Sequence, residues 1–265
     1  MMLKDNILEY VPERPCPVAS CCFATPAEPV DVKALIPDAN LRRRMGPLLR
    51  LAAACGMSAL GNVNPDNVAG IITSTGLGFM KDTVSFADML IDRNEEMLNP
   101  SPFMQSTFNT VSGYIALLGG IRTYNTAYVH RSGGFAAALT DAMMLLGDGN
   151  VLVGGFDEAS PEVDEYRRKL GCWKRGDFLP LGEGAGFLCL GGGDNGVRIL
   201  GVHSSRSGLT CDSKVLCSSY VERLGAFFSI LPVVLCIVIG QRPQGRILVV
   251  DDVNLGGPAV LLEID

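Results

Sequence analysis

The chain has 265 residues and a mass of 28.2 kDa, enough to bury a sizeable core as one large domain or two small ones. It is 48% hydrophobic and 19% charged, which argues against disorder; a net charge of −6 and a pI near 5.0 give no whole-chain attraction to nucleic acid or to an anionic membrane. Its nine cysteines contain no CxxC pair, and an odd number leaves one unpaired in any disulfide scheme, so a reducing, cytoplasmic setting is expected.

In chain order, the first thirty residues are rich in Pro and Cys, show no period and read as irregular; the acids Asp5 and Glu9 and the lack of a long apolar run speak against a secretory signal. Residues 42–60 place apolar side chains at helical spacing behind a run of arginines, and residues 68–73 read as a buried strand leading into the glycine loop 74–78. Residues 83–90 and 106–118 suit helices. Residues 123–129 resemble a strand, His130-Arg131-Ser132-Gly133-Gly134 a tight turn, and residues 135–146 a nearly all-apolar helix buried on most of its surface. Gly147-Asp148-Gly149 stops that helix and residues 151–155 return as a strand, an order that predicts a parallel crossover.

The charged residues 162–170 belong on the surface, and strands are expected at 187–190 and 197–202. The run 224–240 is uncharged, falls short of the about 20 residues a membrane helix needs, and carries Pro232 in its middle. It is expected to split into a buried helix ending near Leu231 and a β-branched strand over 233–239. A hairpin closes the chain, with strands 246–250 and 259–264 joined through residues 254–258. No short-period repeat is present.

Five stretches then fall in a telling order: Arg42-Arg43-Arg44-Met45 opening a helix; Ser74-Thr75-Gly76-Leu77-Gly78 after a strand; Asn99-Pro100-Ser101-Pro102-Phe103 with Ser106-Thr107; Gly154-Gly155-Phe156-Asp157-Glu158 at a strand end; and Gly182-Glu183-Gly184-Ala185-Gly186. Together they resemble the β-ketoacyl-[acyl carrier protein] synthase family over roughly residues 40–205, closest to a divergent branch that carries the synthase N-terminal domain alone. The resemblance implies a thiolase-like layered α/β fold: a synthase-like N-terminal half, residues 1–195, without a convincing first strand, and a truncated C-terminal half, 196–265. In that second half residues 233–240 look like the strand leading to the family's first catalytic histidine. Residues 254–258 resemble a remnant of the family's GFGGTN loop, with Leu255 where phenylalanine is usual.

Condensation in such a synthase needs a cysteine thiolate at a strand-to-helix elbow, stabilised by the helix N-terminus, with two histidines for malonyl decarboxylation. Aligned without a gap from residues 151–158, the family's TAC.SG falls on Tyr128-Val129-His130-Arg131-Ser132-Gly133, so His130 takes the nucleophile position and no cysteine lies in the elbow. An acyl-imidazole hydrolyses far faster than a thioester. His130 is therefore expected to be a residual base, a polar cap on a substrate path, or a residue held locally by its turn. By the same resemblance Phe103, Ser132, Gly133 and Leu255 are substrate-binding positions.

His203, the only other histidine, falls where the resemblance places structural residues, and Ile239-Gly240-Gln241 stands where the first catalytic histidine belongs. Asp157 and Glu158 are adjacent and would point to opposite faces of a strand, so they make no acid/base pair, and Glu158 is expected to satisfy backbone groups. The GEGAG glycines are expected to serve backbone packing, Arg42–Arg44 either to meet an acidic carrier protein or to be a solvated helix start, and Trp173, Met143 and Met144 to be core or interface. No His, Cys and carboxylate cluster has metal-ligand spacing, and no cofactor is implied.

The expected role is a non-condensing, chain-length-factor-like partner subunit of type II fatty-acid or polyketide (aryl-polyene-like) synthesis. Its partners would be an active synthase or a second copy, together with an acyl carrier protein, and residues 114–146 would supply the interface. The alternatives are a weak acyl or malonyl thioester hydrolase or decarboxylase using His130, and a degenerate remnant without a pathway role.

Overall fold

A computed structural model describes residues 9–147, 149–170, 179–193, 195–204 and 209–265; Asp5, Asp148, Cys172 and Trp173 lie outside them. The elements are β1 (Cys16–Ala24), α1 (Val32–Leu35), α2 (Ala39–Arg44), α3 (Pro47–Leu60), β2 (Val68–Thr75), α4 (Met80–Asp92), α5 (Pro100–Ser106), α6 (Thr110–Gly119), β3 (Tyr124–Val129), α7 (Gly133–Leu145), β4 (Asn150–Asp157) and α8 (Pro161–Leu170). They continue as β5 (Gly184–Leu190), β6 (Val197–Ser204), β7 (Ser213–Leu216), α9 (Val221–Leu224), α10 (Ile230–Gln241), β8 (Gly245–Val250) and β9 (Pro258–Ile264).

The strands run in the order β3-β2-β4-β5-β1-β6-β9-β8-β7. β1 is the joint between two arms: its residues 18–24 pair antiparallel with β5, while Cys16 and Pro17 pair with β6. The crossover expected from the turn and the apolar helix is present, because β3 and β4 both lie parallel to β2, one on each side of it. Helices α7 and α10 touch strands of both arms and form a layer between them; α3 and α6 cover the opposite face of the first arm. The hydrophobic core divides accordingly, into one cluster around α7 and α10 and one beneath α3 and α6. Behind the second arm, Leu248, Val250, Ala259 and Leu261 pack with Leu200, Leu209 and Cys211. Helix, sheet, helix and sheet thus alternate, with a fuller first half than second.

The first correction to the sequence reading is β1, which occupies part of a region expected to be irregular. A strand in the middle of a sheet, covered on both sides, has no need to alternate polar with apolar residues, so period gives no signal there. The second is α10. Residues 230–241 form one helix, where a strand over 233–239 was expected. Pro232 is its third residue, in the turn whose N–H groups have no intrahelical partner, so it opens the helix rather than ending it. Burial on every side removes the amphipathic signature that would have distinguished helix from strand. Among the described residues no helix is long and apolar enough to cross a membrane.

Smaller corrections concern boundaries. The helix expected over 42–60 breaks at Met45 and Gly46 into α2 and α3, with Pro47 as the first residue of α3. The Gln105 side chain spans the break, accepting from the Gly46 N–H at 2.7 Å and donating to the Arg44 carbonyl at 2.8 Å. The helix expected over 106–118 is two, α5 and α6. The closing hairpin pairs β8 with β9 antiparallel, as expected.

Candidate functional site

The elbow is built where β3 meets α7. The His130 N–H donates to the Thr75 carbonyl at 3.3 Å and its own carbonyl accepts from the Gly134 N–H at 2.8 Å, tying the turn to the end of β2 and starting α7. Arg131 follows in the left-handed region, with φ of +37°, a conformation that costs a non-glycine residue energy and that the surrounding turn enforces. Ser132 is the buried residue at the helix start and makes no side-chain cap. Gly133 has no Cβ because the His130 ring lies there: a Cβ would stand 2.5 Å from Nδ1. The imidazole itself is exposed. His130, Ser132 and Gly133 therefore meet in one turn. Phe103 stands on α5 against Phe86, ring centroids 5.2 Å apart, and Leu255 is exposed at the tip of the β8–β9 loop.

Behind the elbow lie buried carboxylates whose part in the site the sequence did not reveal, and one of them, Asp157, bonds across to the second half. Asp157, at the end of β4, accepts from the Thr75 hydroxyl at 2.9 Å, the Gly76 N–H at 2.8 Å and the Ser229 N–H at 2.7 Å. Burial raises its pKa, opposed by those hydrogen bonds. Glu158 turns to the α4 side and accepts from the Lys81 N–H at 2.7 Å, the backbone role expected of it. Across the molecule, Asp251 accepts from the Val253 and Asn254 N–H groups, while the Asn254 side chain donates to the Phe227 carbonyl at 3.1 Å and to Asp251 at 3.0 Å. Burial pushes the Asp251 carboxyl up to about 7. Phe227 to Ser229 are thereby fixed from both sides, and the Phe228 side chain fills the space beside Gly76, next to the Thr75 carbonyl that holds the elbow. Signals for this knot existed only as isolated polar residues inside apolar runs; their convergence needs the fold.

Strand β3 ends the sheet, with Tyr124 and Val129 exposed. Both Tyr124 and Tyr128 donate their hydroxyls to Asp141 of α7, at 3.0 and 3.1 Å, and burial together with that carboxylate holds Tyr128 up at about 12. On the other side of α6 a cleft of about 820 Å³ is lined by Arg43, Arg44, Ser101, Met104, Tyr114 and Leu117. Arg42 does not face it freely, since its guanidinium is bound to the Ile36 and Pro37 carbonyls. His203 is buried on β6 with no partner for its Nε2 among the described residues, and burial lowers its pKa. Met143 is buried and Met144 exposed. Gly186 packs directly on the backbone of α10, where a Cβ would lie 2.5 Å from the Pro232 carbonyl carbon, the packing role expected of the GEGAG glycines. Among the described residues no group of three or more His, Cys, Asp or Glu side chains is placed to hold a metal ion.

A two-armed sheet wrapped around a buried helix layer, with an elbow heading the inner helix, is the layered α/β arrangement of thiolase-like proteins. Residues 17–170 match the family model described as the N-terminal domain of beta-ketoacyl synthase, and the chain belongs to that family. Solved structures share the fold at low identity. The ishigamide ketosynthase/chain length factor aligns over 95% of this chain and 99% of its own, at 15% identity and a TM-score of 0.74. A complex of the ketosynthase ApeO with its chain length factor ApeC from Xenorhabdus doucetiae aligns over 95% and 100%, at 17% identity and 0.62. A type II polyketide ketosynthase, AntDE, in complex with the acyl-carrier protein AntF aligns over 94% and 99%, at 13% identity and 0.69. No curated protein matches the chain in sequence.

Proposed function

We propose that the chain is the non-condensing, chain-length-factor-type partner of an active β-ketoacyl synthase in type II fatty-acid or polyketide (aryl-polyene-like) synthesis, working in the cytoplasm. The observation that supports it is the elbow: His130, which the resemblance sets at the family's nucleophile position, is exposed, and there is no sulfur in that turn. An exposed imidazole offers an acyl group no shelter from water, so it cannot store a growing chain. Behind the turn Phe228 packs against Gly76, and Asp157 is bonded to Ser229. The open edge of β3, beside the elbow, supports assembly with a synthase by strand addition, and the solved ApeO–ApeC complex supports that kind of partner.

An acyl carrier protein is the second proposed partner, approached through Arg43 and Arg44 at the cleft beside α6. Phe103, Ser132, Gly133 and Leu255 belong to this reading as contacts of the acyl chain. That the eight described cysteines are all free accords with a reducing compartment.

The exposure of His130 favours one second reading, slow hydrolysis or decarboxylation of an acyl or malonyl thioester with His130 as general base. Incubation with acyl- and malonyl-carrier protein, read by mass spectrometry, separates the two. The partner role predicts no turnover by the purified chain, with or without His130→Ala, and co-elution with a co-expressed full-length synthase. Turnover abolished by His130→Ala, without synthase capture, would replace it with the hydrolytic reading.

A further inference from the structure

Four thiols converge where β1 crosses between the helix layers, and nothing in the proposed partnership uses them. Cys21 and Cys22 are neighbours on β1 and point to opposite faces, Cys21 toward Cys236 of α10 and Cys22 toward Cys55 of α3. On the α3 side the geometry is close. The Cys55 thiol donates to the Cys22 carbonyl at 3.1 Å, which sets the two residues side by side where α3 crosses β1. Such an approach is possible because α3 presents Ala52, Ala53, Ala54, Gly56 and Ala59 to its neighbours, so the helix lies low on the strand.

The two sulfurs differ in access and ionisation. Cys55 is fully buried, and burial raises its pKa well above the ordinary thiol value. Cys22 is half-buried, and the Cys55 hydrogen bond brings it down to about 7 despite desolvation. A half-buried thiol of lowered pKa, with a buried thiol on the adjoining helix bonded to its own backbone carbonyl, is the arrangement of an attacking and a resolving cysteine.

We propose that Cys22 is a site of thiol–disulfide exchange with low-molecular-weight disulfides such as oxidised glutathione, and that Cys55 resolves the adduct into a Cys22–Cys55 disulfide stapling β1 to α3. In the first step the Cys22 thiolate attacks one glutathione sulfur; a Cys22–glutathione S–S bond forms, the glutathione S–S bond breaks, and one glutathione thiolate leaves. In the second, Cys55 loses its proton and its sulfur attacks the Cys22 sulfur, expelling the other glutathione thiolate. Two cysteine thiols are oxidised by two electrons, one glutathione disulfide is reduced to two thiols, and those thiols carry away both protons. The staple closes a loop between positions 33 apart in sequence, constraining the unfolded chain, so the oxidised protein melts at a higher temperature. The proposal stands independently of the synthase partnership.

The test uses the full chain, reduced and then titrated with oxidised glutathione, with differential alkylation and peptide mass spectrometry. The expected result is a linked peptide containing Cys22 and Cys55, two hydrogens lighter than the reduced pair and reversed by dithiothreitol, with a melting temperature several degrees higher. Cys55→Ser should stop at a glutathione adduct on Cys22, and Cys22→Ser should form neither product. Mapping of the wild-type chain decides the matter even if the buried Cys55→Ser variant fails to fold. A disulfide between Cys21 and Cys236, glutathione confined to Cys172 or Cys211, or Cys22 and Cys55 both fully alkylated after oxidation would overturn it.

Discussion

At the scale of single residues, the proposed partner role rests on one side chain in the turn between β3 and α7. The strand, the turn and the helix of the elbow are all present, with His130 at their junction. Around it, the buried carboxylates Asp157 and Asp251 tie down the segment 227–229, and they leave a measurable trace. The Asp251 carboxyl, pushed up to about 7 by burial, has an unfolded value of about 3.9. Between those values the folded chain keeps a proton that the unfolded chain has released. This group's contribution to stability is therefore full below about pH 4 and is lost as the pH rises through about 7. Asp157, raised by burial in the same direction, acts with the same sign. Asp251→Asn cannot ionise but keeps an oxygen for the Val253 and Asn254 N–H groups. We expect urea unfolding of the wild type to lose roughly 1–4 kcal/mol between about pH 5 and about pH 8, and the variant to lose clearly less. Equal slopes would mean that Asp251 is ionised in the folded protein.

At the scale of elements, α10 carries the most weight. Its residues from Ile230 to Ile239 are all buried, and it touches β5, β1, β4 and β8. It can do so because β5 yields at Gly186, where the helix backbone stands too close for any side chain. Gly186→Ala places its methyl against the Pro232 carbonyl, which is backbone and cannot rotate away. The expected outcome is a loss of roughly 1–3 kcal/mol in chemical denaturation. An unchanged midpoint would mean that α10 sits farther from the sheet. Gly113, where a Cβ meets nothing within 4 Å, provides the matched control on the exposed face of α6, since Gly113→Ala replaces a helical glycine without a clash.

For the whole molecule, the open question is what covers the β3 edge. Among the described strands β3 is the last of the sheet, an edge that invites another strand, and it leads directly into the elbow. Val129→Lys puts a charge on that edge at an exposed position, so the isolated chain should keep its fold and its melting temperature. If β3 is the seam with a synthase, the affinity of the pair should fall by about tenfold or more, read by co-elution or calorimetry. Undiminished affinity would move the partner to another surface.

Several features were legible in the amino-acid order alone. The crossover 123–155, the closing hairpin and the family itself could all be read, because each rests on local period, turn residues or a short motif. Strand β1, helix α10 and the knot of Asp157, Ser229, Asp251 and Asn254 could not. Strand β1 lies between two helix layers and helix α10 is buried on every side, so neither shows a polar face that gives a period, and Pro232 signals a helix start only once the start is known. The knot joins residues more than seventy positions apart, such as Asp157 and Ser229, and that proximity is created by folding. Local chemistry decided what the elbow lacks. The packing of two arms around one apolar layer decided what closes behind it, because burial and distance belong to the folded chain alone.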